Sequence, residues 1–100
     1  MKPIAMISQP MKGKTEKQIR TEREKTIELL QKRGYTVIDT VFDSYADEGN
    51  LPVKCLGRSI EALAEADLVY FMHGWEDARG CRIEHLICGQ YGVNFEEAIK

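Results

Sequence analysis

Two rhythms of apolar residues alternate along the chain. Compact runs at 3–7 (PIAMI), 35–42 (YTVIDTVF) and 68–72 (LVYFM) are rich in β-branched and aromatic side chains and predict strands. Between and beyond them, apolar residues recur every three or four positions among charges, the spacing of a helix with one buried face. The first such stretch carries Ile19, Thr26, Ile27 and Leu30. The second carries Val53, Leu56, Ile60 and Leu63. The third spans about Cys81 to Gln90, with Ile83, Leu86, Ile87 and Tyr91 on its predicted buried side. Val93–Phe95 suggests a short fourth strand.

The boundaries carry their own chemistry. Pro10 and Gly13 mark a turn in the loop Ser8–Lys14. Thr15 followed by Gln18 fits a capping box, in which hydroxyl and amide satisfy free backbone N–H groups at a helix start. Lys32, Arg33 and Gly34 supply the cations and the glycine that end a helix. The acidic stretch Asp43–Asn50 reads as a loop, and Pro52 lies where a second helix opens and a missing N–H matters little.

The resulting order, βαβαβαβ, predicts an α/β fold. It is a Rossmann/flavodoxin-like three-layer sandwich around a parallel sheet of about four strands in the order 2-1-3-4. Right-handed crossovers then bring the loops after strands one and three, Ser8–Lys14 and His73–Gly80, to one crevice at the switch point.

One hundred residues fit a single domain, 1–100, and 43% hydrophobic with 30% charged residues is the balance of a soluble globule. So small a core favours a homodimer or a higher homo-oligomer. A net charge of −2, from 14 basic and 16 acidic residues, gives no general attraction to nucleic acid polymers or to anionic membranes. No apolar stretch approaches the roughly 20 residues that span a bilayer. The N-terminus reads as a strand and not as a signal peptide. Three cysteines without framework spacing predict reduced thiols and a cytoplasmic location.

Candidate chemistry concentrates between Asp67 and Tyr91. Glu84 sits at the edge of the third helix's apolar stripe, where the helix dipole would keep it ionised as a nucleophile or base. The bland alternative is a solvated glutamate. Glu76 and Asp77 stand in the preceding loop, and paired carboxylates are the usual means of breaking glycosidic bonds. Trp75, the sole tryptophan, suits a pocket wall that stacks on a base, or simple packing. Gly13-Lys14-Thr15 resembles the end of a P-loop, but the required earlier glycine is Ser8, which excludes that motif. Lys12 and Lys14 could still meet a phosphate or sugar hydroxyl, though solvated lysines explain them as well. Cys81, His85 and Cys88 share a helix face, yet a zinc site draws ligands from two segments, so no metal is expected. Cys81, near a helix start, is a candidate for a lowered thiol pKa.

The run HGWEDARGCRIEHLICGQYGV (73–93) resembles the nucleoside 2-deoxyribosyltransferase-like superfamily. It is most similar to a branch of short bacterial and phage proteins with a Gly-Trp-Glu…Arg-Gly-Cys…Glu run. ISQPMKGKT (7–15) is similar to that branch's first loop, and SIEALAEADLVYF (59–71) to its second helix and third strand. The resemblance implies that Glu84 attacks C1′ of a 2′-deoxyribonucleoside or its 5′-monophosphate. A covalent deoxyribosyl-enzyme forms, and a second base or water then takes the sugar. Asp77 would orient the sugar or handle the leaving base's proton. Ser8, Gln9, Pro10, Gly13, Ser59, Gly74, Trp75 and Gly80 would line the substrate, with no cofactor. The chain departs from the family pattern at Ser59, where an aspartate is usual, and at Ser8-Gln9-Pro10, which replaces an aromatic residue before Gly-Pro. Two further readings compete with turnover: a nucleotide-binding or sensing module that kept the pocket, and a structural or interaction protein.

Overall fold

The computed structural model describes residues 2–38 and 51–98. Four strands, β1 (Ile4–Ser8), β2 (Thr36–Ile38), β3 (Leu68–Phe71) and β4 (Phe95–Glu97), alternate with three helices, α1 (Glu16–Lys32), α2 (Leu51–Glu65) and α3 (Arg79–Tyr91). All strand pairs are parallel, in the order β2-β1-β3-β4. This is the predicted α/β architecture and strand order.

Side chains alternate across the two faces of the sheet, as strand geometry requires. Ala5, Ile7, Leu68, Tyr70 and Met72 meet Leu30 and Ile27 of α1. Met6, Val69 and Phe71 meet Leu63 of α2 and Cys88 of α3. One layer is therefore α1, and the other is α2 beside α3. The register of β1 on β3, from Ala5–Leu68 to Ser8–Phe71, sets the ends of these strands side by side, and the Met72 N–H donates to the Ser8 carbonyl at 3.0 Å.

The helix start predicted at Thr15 is present in full. Its hydroxyl accepts from the Gln18 N–H at 3.1 Å, and the Gln18 amide oxygen accepts from the Thr15 N–H at 2.9 Å. β2 begins one residue later than Tyr35. The remainder of its predicted span and the Asp43–Asn50 loop lie outside the described residues. β4 starts where the sequence places its end, at Phe95. Its two glutamates are held from opposite faces of the sheet, Glu96 by Arg33 at 2.6 Å and Glu97 by His85 at 2.8 Å. Those partners offset the poor strand preference of Glu.

Helix faces are the main correction. Val53 is 60% exposed, while Leu63 carries the buried end of the α2 stripe. In α3, Leu86 is 60% and Tyr91 80% exposed, and Ile83 and Ile87 are half-buried. The buried residues are Cys81, Glu84 and Cys88, spaced three and four apart. The face of α3 turned to the sheet is thus small and polar rather than aliphatic.

Candidate functional site

The last residue of β1, Ser8, and the one after it, Gln9, are buried and polar and point opposite ways. Met6 and Ser8 face α2 and α3; Gln9 faces α1. The Ser8 hydroxyl donates to Glu84 Oε1 at 2.5 Å, joining residues 76 positions apart. The Ser59 side chain, from α2, stands near enough to the Glu84 carboxyl to favour its charged form. Three separate elements therefore converge on one carboxyl group that is only 6% exposed.

Burial, the dominant influence, pushes the Glu84 carboxyl above its ordinary pKa, while the hydroxyls of Ser8 and Ser59 pull it back. The expectation of a carboxylate kept ionised by the helix dipole is thereby corrected. α3 begins at Arg79, so Glu84 stands in its second turn, beyond the strongest part of that field. Two hydroxyls, not the helix end, favour its charged form. Cys81 is corrected as well: burial first, and then the Glu84 charge, push its thiol up to about 11 against a pull from the Ser8 hydrogen bond. Burial and the same charge also push Cys88 to about 11. Neither thiol is an activated nucleophile at neutral pH.

The loop after β3 turns sharply at Gly74, whose φ is 91°, and runs through a single 3-10 turn, Trp75–Asp77, into α3. A methyl group on Gly74 would lie 3.6 Å from Pro10 Cγ, an ordinary contact. The two predicted loops thus meet at Pro10 and Gly74. Since space is available, the cost of Gly74→Ala is the backbone's own. It should destabilise the domain by about 1–2 kcal/mol, read from the urea midpoint. An unchanged midpoint would show that the turn adapts without strain.

Other sequence-predicted residues are placed differently. The Gln9 amide is engaged inward, donating to the Ile19 carbonyl at 2.8 Å and accepting a long 3.4 Å bond from the buried Arg23. It anchors the loop on α1. Gly13, with φ 81°, permits an exposed turn closed by Lys14 N–H to the Met11 carbonyl at 3.2 Å. Lys14 pairs with Glu22 at 2.8 Å. Glu76 and Asp77 are both exposed, and the Glu76 carbonyl accepts from Arg82 at 3.0 Å. A side chain on Gly80 would meet nothing within 4 Å, so no packing demand fixes a glycine there.

Sequence reasoning missed the environment of His85. Its ring stacks on Trp75, with centroids 4.1 Å apart and planes 12° from parallel. Its place directly after Glu84 was visible, but the aromatic neighbours come from three separate elements. Among the described residues, no group of three or more His, Cys, Asp and Glu side chains is placed to hold a metal ion. Nor is any helix among them long and apolar enough to cross a membrane.

A family model described as a domain of unknown function, DUF4406, matches residues 4–95. The chain belongs to that family. The match runs from the start of β1 into β4, and so takes in Ser8, Ser59, the turn at Gly74 and Glu84 of this DUF4406 domain. Comparison with curated proteins and with solved structures finds no match.

Proposed function

We propose that this domain breaks the N-glycosidic bond of a 2′-deoxyribonucleoside or its 5′-monophosphate, with Glu84 as nucleophile. One observation carries the reading: a buried carboxyl at the β1/β3 switch point receives the Ser8 hydroxyl's hydrogen bond, with Ser59 of α2 beside it. Ligands of open α/β sheets bind just outside the strand ends at such a point. A carboxyl there with so little water around it is seldom a mere surface charge.

In the first step a Glu84 oxygen forms a bond to C1′, and the C1′–N bond breaks. The base departs with the electron pair and gains a proton from water or from Asp77. In the second step water or another base attacks C1′, the bond from C1′ to the Glu84 oxygen breaks and restores the carboxylate, and the attacking group gives up its proton to water or to Asp77. Water gives hydrolysis; a base gives transfer. The Ser8 and Ser59 hydroxyls fix the carboxylate's orientation before attack, and exclusion of water strengthens its field at the developing oxocarbenium ion.

Only the ionised carboxyl attacks, so activity should fall as pH drops through the raised pKa of Glu84. Ser8→Ala removes a donor to the charged form and raises that pKa further. Its kcat/KM profile should therefore keep its shape while its acid limb moves to higher pH. An acid limb in the wild-type position would separate the Ser8 bond from the reacting group.

The direct test is to incubate pure protein with each common deoxynucleoside and its monophosphate and to follow free base. Release that depends on Glu84 supports the proposal; no release from any of them counts against it. A second reading, a nucleotide-binding module without turnover, is favoured by Ser59 where the similar enzymes carry an acid and by the exposure of Asp77. Thermal stabilisation by nucleotides without base release is its signature.

A further inference from the structure

His85 lies between the candidate site and the edge of the sheet. Its imidazole covers one face of the Trp75 indole. The edges of Phe71 and Phe95 meet the same ring, at centroid distances of 4.9 and 4.6 Å. Its Nε2 is 2.8 Å from Glu97 Oε2 on β4. The aromatic rings fix the plane of the imidazole, and the carboxylate fixes its rotation within that plane. A polar contact this accessible, with side chains 26% and 47% exposed, contributes little to stability. What it supplies is orientation. Trp75, in turn, begins the 3-10 turn that links the Gly74 bend to α3, so its plane shapes the wall beyond β3.

We propose that His85 is a positioning residue: oriented by Glu97 of the edge strand, it fixes the plane of the Trp75 indole and closes one of its two faces. A flat heteroaromatic ligand can then stack only on the opposite face. The arrangement couples β4, which carries none of the candidate chemistry, to the wall of the site. Only the ligand's identity as a nucleobase rests on the glycosidic reading; the coupling itself does not.

Trp75 is the only tryptophan, so indole emission and the near-ultraviolet circular dichroism band report on it alone. Three variants separate the contributions. His85→Ala should raise acrylamide quenching, as the indole face that His85 covers opens, and should lose most of the indole band. Glu97→Ala should weaken the band while leaving far-ultraviolet dichroism unchanged. His85→Phe, which keeps a flat ring against the indole, should restore quenching close to the wild-type level. With a turnover substrate, His85→Ala should raise KM about three- to tenfold, the scale of one lost aromatic stack, with kcat nearly constant. Wild-type quenching and a wild-type band in folded His85→Ala, or in Glu97→Ala where His85→Ala does not fold, would overturn the proposal. The spectroscopic result stands whether or not base is released. A silent assay with wild-type protein would count against the glycosidic reading alone.

Discussion

Glu84→Gln is expected to abolish base release and, at pH above the raised pKa of the carboxyl, to make the domain more stable. The loss of activity should be on the order of 10⁴–10⁶-fold, the range for removing a nucleophile from an otherwise intact site. The gain in stability follows from the sign of the pKa shift. Burial raises the folded-state value above the ordinary 4.5, so the folded chain binds this proton more tightly than the unfolded chain. Stability associated with Glu84 is therefore fully present below the ordinary value and is lost as pH rises through the raised one. Above the raised value the folded protein holds a poorly solvated charge that glutamine does not carry. The serine hydroxyls can turn to accept from the new amide. A gain of about 0.5–2 kcal/mol is the usual scale for relieving such a site. It would raise Tm by about 4–8 °C per kcal/mol in a domain of this size. The variant's stability should also vary less with pH. Thermal melts across the acid range check both points; a lower Tm for Glu84→Gln above the raised value would mean that the carboxyl is structural.

Phe71→Ala should be the most damaging core substitution. Phe71 is 0% exposed at the end of β3, between β1 and β4. Its ring meets Trp75 at 5.5 Å, His85 at 4.9 Å and Phe95 at 6.0 Å. Removing a ring so enclosed costs about 3–5 kcal/mol, part transfer and part cavity. Small domains have only about 5–15 kcal/mol in total. Urea titration should show a large drop in midpoint, and Tm should fall by about 12 °C or more. Indole emission should shift as well, because Trp75 loses a neighbour. A cost below about 1 kcal/mol would mean that the aromatic cluster is loosely packed and cannot orient His85.

The two substitutions mark where the sequence was legible. β1, β3 and the start of α1 follow from apolar runs and from the Thr15–Gln18 pair, because strand composition and capping are local. The strand order follows from alternation and crossover handedness. The orientation of α3 did not follow. Counting apolar side chains put Ile83, Leu86, Ile87 and Tyr91 inside; Ile87 does pack against the core, yet the residues the sheet buries are Cys81, Glu84 and Cys88. The binary pattern fails there because the buried acid is compensated by hydroxyls from β1 and α2, and no window along one helix contains those partners. β4 was displaced for a similar reason. Glu96 and Glu97 look like loop residues until Arg33 and His85 stand opposite them. Ser8 and Ser59 were named from a resemblance; their contact with Glu84 needs the fold.

The proposed chemistry stands or falls on a bond between a Glu84 carboxylate oxygen and an anomeric carbon. Rapidly quenched mixtures of protein and deoxynucleoside, digested and analysed by mass spectrometry, test it most directly. The expected result is one deoxyribosyl group on the peptide containing Glu84, absent from Glu84→Gln. Base released with the sugar attached to another residue, or released equally fast by Glu84→Gln, would contradict it.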